Sequence, residues 1–158
     1  MSKKKLYHGT RKSFKDSIIN GINLYAGRLN LDFGRGFYMT SDLEQAIKWT
    51  NRFDDPCVLE FVLDTTELNT KEFYAPDIEW AKFVVSNRLG MPVKQYDVVS
   101  GPMADTGISK ISRQFRKGII TFDIAVKSLV GNTNGCQVTV LTKKATNYLA
   151  FKREVELI

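Results

Sequence analysis

Apolar positions along this chain change period several times, and each change marks an element. Cys57-Val58-Leu59-Glu60-Phe61-Val62-Leu63 is nearly all apolar and ends at Asp64-Thr65-Thr66, which predicts a compact strand. Ser41-Asp42-Leu43-Glu44 has the Ser-x-x-Glu form of a capping box. Leu43, Ala46, Ile47 and Phe53 then follow a helical stripe, so a helix is expected over 41–53. Asp77 is placed to cap a second helix carrying Ile78, Ala81, Val84, Val85 and Leu89, stopped by Gly90 and Pro92. Phe122, Val126, Leu129 and Val130 predict a third helix, closed by Gly131. Tyr7 to Thr10, Tyr96 to Val99 and Cys136 to Leu141 read as strands, the second cut by Gly101-Pro102. Residues 142–151 read as a helix and 154–158 as a last strand. Gly131 to Gly135 is a run of turn formers, expected as a mobile rim. The helices are short and βαβ spacing is missing, so the pattern predicts an α+β domain with a mixed, mostly antiparallel sheet.

Length and composition narrow this picture. The 158 residues fit one domain, 1–158, with ordinary globular composition and no repeat period. Met1 to Lys5 is basic but no apolar segment follows it, and no apolar run reaches membrane-spanning length. The expectation is a cytoplasmic protein with no membrane partner. Cys57 and Cys136 match no metal-ligand spacing and are read as buried thiols, with no metal expected. The net charge of +6 is unevenly spread. Residues 54–79 hold eight acids against Lys71, whereas Lys110, Arg113, Arg116, Lys117 and Lys127 face only Asp123. Basic patches of this kind attract a dinucleotide pyrophosphate or a nucleic-acid backbone.

Candidate chemistry gathers in two short segments. His8, the only histidine, lies in Tyr7-His8-Gly9-Thr10, and Asp32-Phe33-Gly34-Arg35-Gly36-Phe37-Tyr38-Met39-Thr40 leads into the first predicted helix. A protein-kinase reading of Asp-Phe-Gly fails, because there is no His-Arg-Asp loop and too little chain precedes the motif to form a nucleotide-binding lobe. Gly34 and Gly36 instead suggest a tight turn or close backbone approach at a cleft edge. Gln137 is polar at the entry of an apolar strand. Asp105 follows Gly101-Pro102, where it could serve as a base at a cleft rim or stabilise a turn. Glu60 interrupts the apolar strand, either facing solvent or standing as an alternative acid to Gln137.

These segments resemble the ADP-ribosyltransferase superfamily, on the branch related to diphtheria toxin and the poly(ADP-ribose) polymerases. That branch combines His in a His-Gly-Ser/Thr strand, Tyr in a Gly-x-Tyr segment before a helix, and Glu at the start of a later strand. His8-Gly9-Thr10 and Gly36-Phe37-Tyr38 match the first two, while Gln137 stands where the acid would be. More narrowly, the chain is similar over nearly its whole length to a bacterial family of unknown function numbered 3990. Trp80, Asn87-Arg88, the block from Tyr96 to Asp105 and the Gln137 strand carry that similarity together with the two motifs.

The resemblance implies a split, mostly antiparallel sheet and NAD as co-substrate. It implies that His8 binds a hydroxyl of the adenosine-side ribose, that Gly9 meets the nicotinamide amide through its backbone, and that Tyr38 stacks on the nicotinamide ring, with Thr10 and Gly36 completing the cofactor-binding set. Gln137 would hold the nicotinamide ribose without the field of a carboxylate. The function so implied is a mono-ADP-ribosyltransferase acting on a macromolecular acceptor, nucleic acid or protein. As an intracellular toxin it would also meet an antitoxin protein. An NAD glycohydrolase and a non-catalytic NAD, ADP-ribose or nucleic-acid binding module are the alternatives. RNA 2'-phosphotransferases share the fold but need more than one histidine, which this chain lacks.

Overall fold

The computed structural model describes residues 2–158, which form an α+β domain of two mostly antiparallel sheets and six helices. The first sheet has the order β1(Lys3–Arg11)-β3(Pro56–Asp64)-β7(Leu149–Glu154), all antiparallel. The second runs β2(Phe37–Met39)-β6(Thr133–Val140)-β5(Val98–Ala104)-β4(Thr70–Glu72), with only β4 and β5 parallel. A single antiparallel bridge joins the sheets where Tyr7 and Thr40 exchange backbone hydrogen bonds of 2.8 and 2.9 Å. The region around His8 and Tyr38 is therefore the seam between the two sheets.

Alternation along the strands sorts the side chains around that seam. Leu6, Leu59, Phe61 and Leu63 of the first sheet pack with Phe37, Met39, Val138 and Val140 of the second in one shared core. On the opposite face of the second sheet, Phe33 and Val99 pack with α3(Ile78–Arg88), α4(Gly107–Arg116) and α5(Phe122–Leu129) through Trp80, Val84, Ile108, Ala125 and Leu129. The first sheet is backed by α2(Leu43–Thr50) through Ala46 against Val58. Gly9 permits that contact, since a Cβ there would stand 2.7 Å from the Ala46 carbonyl oxygen. No helix among the described residues is long and apolar enough to cross a membrane.

Several sequence expectations shift. The 41–53 helix is Leu43–Thr50, capped by the Asp42 carboxylate on the Gln45 N–H and not by Ser41. The second helix keeps its Asp77 cap, here on the Trp80 N–H. β5 runs through Gly101-Pro102, with its register slipping between Pro102 and Ala104, so the proline sits at an irregularity that a ladder tolerates. The 131–135 segment is not a free rim, because β6 begins at Thr133. Residues 142–151 contain only the short α6(Lys143–Thr146) before β7, which ends at Glu154 and leaves 155–158 outside any strand. Cys57 is buried, but Cys136 is only half-buried. Two helices had no sequence expectation, α1(Lys12–Asn20) and α4.

Candidate functional site

His8 occupies the middle of β1, opposite Leu59, on the face shared with the inter-sheet core. Its ring stacks on Phe37 at 4.1 Å between centroids and 25° between planes. Nδ1 lies 2.7 Å from the Tyr38 carbonyl oxygen, which can only accept, so Nδ1 carries the proton. Burial lowers the imidazole pKa to about 4, against the raising effect of that hydrogen bond. The ring is therefore neutral at pH 7 and Nε2 carries a bare lone pair. Among the described residues no protein group bonds Nε2, and it is not one of the sealed orphan atoms. It is available to accept a hydrogen bond from a hydroxyl.

The other matched positions gather on the opposite face of β2 and β6. Tyr38 pairs with Thr139, and Gln137 lies two residues further along the same strand, so all three share one face. The Tyr38 hydroxyl accepts from the Phe33 N–H at 2.9 Å and donates to the Gly34 carbonyl at 2.6 Å. Burial, with the nearby Asp32 charge, pushes this phenol well above its usual pKa. Tyr38 thus clamps the 32–36 turn, and its ring is not brought onto the His8 face. The hydroxyl therefore has an anchoring role in the turn. Gly36 lets β2 start beside β6, since a Cβ on it would fall 2.5 Å from the Val140 carbonyl oxygen.

Asp32 is the hub of this face and is 2% exposed. Its Oδ1 accepts from Arg88 Nε at 2.7 Å, with Arg88 Nη2 in ion-pair contact at 2.6 Å, and Oδ2 accepts from the Ala104 N–H at 2.9 Å and Gln137 Nε2 at 3.1 Å. Asn87 holds the Asp32 carbonyl through Nδ2 at 3.1 Å. Three hydrogen bonds and the Arg88 ion pair satisfy the carboxylate in the way a buried charge requires. They also orient Gln137: with Nε2 on the carboxylate, Oε1 is the free end, presented as an acceptor. The Asp-Phe-Gly block and Asn87-Arg88 stand out in the sequence, but no spacing signal links them across 56 positions.

The remaining candidates separate from these groups. Asp105 Oδ1 accepts the Gly107 N–H at 2.9 Å at the start of α4, so it stabilises a turn there. Glu60 pairs across β1 with Tyr7, which puts it on the face away from His8. It is buried and not solvent-facing, with Arg153 Nη2 at 3.2 Å from Oε1 outside hydrogen-bond geometry. Thr10, two positions past His8 and opposite Cys57, is instead buried on the His8 face. Among the described residues, no group of three His, Cys, Asp or Glu side chains is placed to hold a metal.

A cavity of about 680 Å³ opens on the His8 face of the first sheet. Ile18, Ile22, Leu24, Phe61, Leu149 and Phe151 supply its apolar lining, with Asn23, Tyr25 and Asn147 as polar groups. Lys143 is the one charged side chain among the lining residues. A row of rings leads from His8 through Phe37 to Phe61 and Phe151, with centroid spacings of 4.1, 5.6 and 5.8 Å. Size and lining fall in the range of small-molecule sites.

The fold and site thus define a two-sheet α+β domain with a neutral histidine at the sheet seam and a cavity beside it. The chain belongs to the family described as protein of unknown function (DUF3990), which matches residues 4–151. No curated protein and no solved structure matches it.

Proposed function

We propose that this protein is a mono-ADP-ribosyltransferase that binds NAD across the His8 face, cleaves the bond between nicotinamide and ribose, and transfers ADP-ribose to a macromolecule. The observation that carries this reading is the bare Nε2 of a neutral His8, poised to accept from a hydroxyl, on the same face of the first sheet as the 680 Å³ cavity, which Phe61 lines and His8 does not. A ribose supplies such hydroxyls, the aromatic and aliphatic lining suits a flat base, and Lys143 suits an anionic group. The sequence motifs of the resemblance support the same ligand.

Loss of neutral nicotinamide leaves oxocarbenium character at the ribose carbon, which an acceptor nucleophile then attacks. To use both groups the NAD must pass from the His8 face over the sheet seam to the opposite face, where Gln137 Oε1 is free to accept from a ribose hydroxyl and donation from Nε2 to Asp32 polarises its amide toward a more negative oxygen. Such a catalyst is weaker than a carboxylate. An intracellular toxin held in check by an antitoxin protein is the setting that fits this activity.

A second reading, an NAD or ADP-ribose binding module without turnover, is favoured by the neutral Gln137 and by the double commitment of the Tyr38 hydroxyl. One experiment separates these readings. The protein is incubated with NAD labelled in the adenosine moiety and with separate protein, DNA and RNA pools, while free nicotinamide is measured. Transferred label supports the transferase, and nicotinamide without transfer makes the protein an NAD glycohydrolase. Saturable binding with neither product supports the binding module. Absence of binding by calorimetry at millimolar NAD refutes all three.

A further inference from the structure

We propose that α4 is a nucleic-acid backbone-binding surface that holds a single-stranded acceptor on the Gln137 side of the second sheet. Its role in holding an acceptor rests on the transferase reading, but its binding of nucleic acid does not. Lys110 and Arg113 of α4 and Lys117, its C-cap, fall at i, i+3 and i+7, one stripe on the solvent side, and all three are exposed. The buried side of the same helix is Ile108 and Ser112, which fixes the direction in which the stripe points. No Asp or Glu occurs between Asp105 and Asp123. Among the described residues, none of the three cations joins an ion pair, whereas Lys127 nearby is already matched by Asp123.

The stripe spans seven residues, about 10 Å along the helix axis. A linear polyanion is the partner that meets every cation of such a row at once, since a nucleic-acid strand carries a phosphate at each nucleotide. The position of the helix is a separate argument. Its entry follows Ala104, whose N–H binds the same Asp32 oxygen as Gln137. Near its end, Arg116 Nη2 donates to the Arg88 carbonyl at 2.9 Å, and Arg88 binds the other Asp32 oxygen. Both ends of α4 are thus tied to the network that orients Gln137. A strand lying on the stripe is held on the Gln137 side of the second sheet, opposite the His8 face, with bases free of pairing and able to offer nucleophilic atoms.

The test uses the full chain without NAD and follows anisotropy of fluorescent 20-nucleotide single strands of mixed sequence, DNA and RNA, with the duplex as a further arm. With log K falling by about 0.7 per phosphate contact for each tenfold rise in salt on a single strand, three contacts give roughly a twentyfold loss of affinity between 50 and 200 mM salt. K110Q/R113Q/K117Q should bind at least tenfold more weakly at 50 mM salt and lose most of the salt dependence, with an unchanged melting temperature because the three side chains are exposed. Equal binding by wild type and variant overturns the proposal. So does binding to phosphatidylserine vesicles or polyglutamate in place of the oligonucleotide, or tighter binding to duplex than to single strand. Where NAD is consumed, label transfer to the oligonucleotide should fall in the variant while NAD affinity holds. Oligonucleotide binding with no NAD binding refutes the transferase reading and leaves the surface standing.

Discussion

His8 offers the sharpest test of the site, because it is the only histidine and every imidazole signal of the protein belongs to it. The folded protein holds its pKa at about 4 against 6.5 for the free side chain, through burial. Above pH 6.5 the ring is neutral in both folded and unfolded chains, so His8 makes no pH-dependent difference there. As pH falls below 6.5 the unfolded chain takes up a proton that the folded chain refuses, and stability is lost until the folded ring also titrates near pH 4. The full displacement is worth about 3 kcal/mol, of which about 2 kcal/mol is lost by pH 5. His8 keeps some solvent contact, so these figures are upper values. The assay is urea unfolding between pH 7.5 and 5 for wild type and His8→Asn, whose amide nitrogen can still donate to the Tyr38 carbonyl. Carboxylate titrations act on both proteins and cancel in the difference. Wild type should lose up to about 2 kcal/mol more than the variant over this range. Parallel loss would refute the neutral, buried imidazole, as would a nitrogen NMR spectrum showing the proton on Nε2 at pH 7.

Gly36→Ala should destabilise the protein by roughly 1–3 kcal/mol or more, since its Cβ meets the Val140 carbonyl oxygen at 2.5 Å; thermal melting checks this, and an unchanged midpoint contradicts the close approach. Asp32→Ala leaves Arg88, Gln137 and the Ala104 N–H without their shared acceptor and should cost about 3 kcal/mol in urea unfolding; a loss below about 1 kcal/mol would deny it the role of hub. Gln137→Glu sets one carboxylate against another, a repulsion of up to about 4 kcal/mol at 4 Å and an effective dielectric of 20. The new carboxyl escapes by holding its proton, so its folded pKa rises and the deficit against wild type should shrink as pH falls toward 4; a deficit that is constant with pH contradicts the Asp32 contact.

What the sequence disclosed and what it withheld divide along a physical line. Elements whose signal is local were readable. β3 is a run of apolar residues, α3 has its Asp77 cap, and α5 carries the stripe of Phe122, Val126 and Leu129. Elements decided by partners were not. Ala145, Tyr148 and Phe151 have helical spacing, yet Leu149 and Phe151 lie opposite Leu63 and Phe61, and that pairing draws the segment into β7. β5 reads as interrupted at Pro102, yet its ladder continues opposite Cys136 and absorbs the proline at a register shift. α4 has a complete amphipathic stripe in Ile108, Ile111, Ser112 and Phe115, but its charges draw attention before its apolar side does.

The same distinction governs the candidate site. Motif matching brought His8, Tyr38 and Gln137 together, and the fold does bring their strands to one seam, with a backbone carbonyl of Tyr38 holding the His8 ring. Strand period, however, sends a side chain to one face or the other, and the face is known only once the register is known. Phe37 carries the His8 face and Tyr38 the reverse, so adjacent residues of one motif serve two different surfaces. The residue that unites the second surface, Asp32, was invisible as a functional position because its partners come from three distant segments at 88, 104 and 137. A buried carboxylate without partners would be costly, and the three hydrogen bonds and one ion pair converging on it make the turn, the Arg88 helix and the Gln137 strand interdependent. The orientation of the Gln137 amide therefore belongs to this network and not to its own strand, and a change at Asp32 or Arg88 should disturb whatever Gln137 binds while leaving the His8 ring in place.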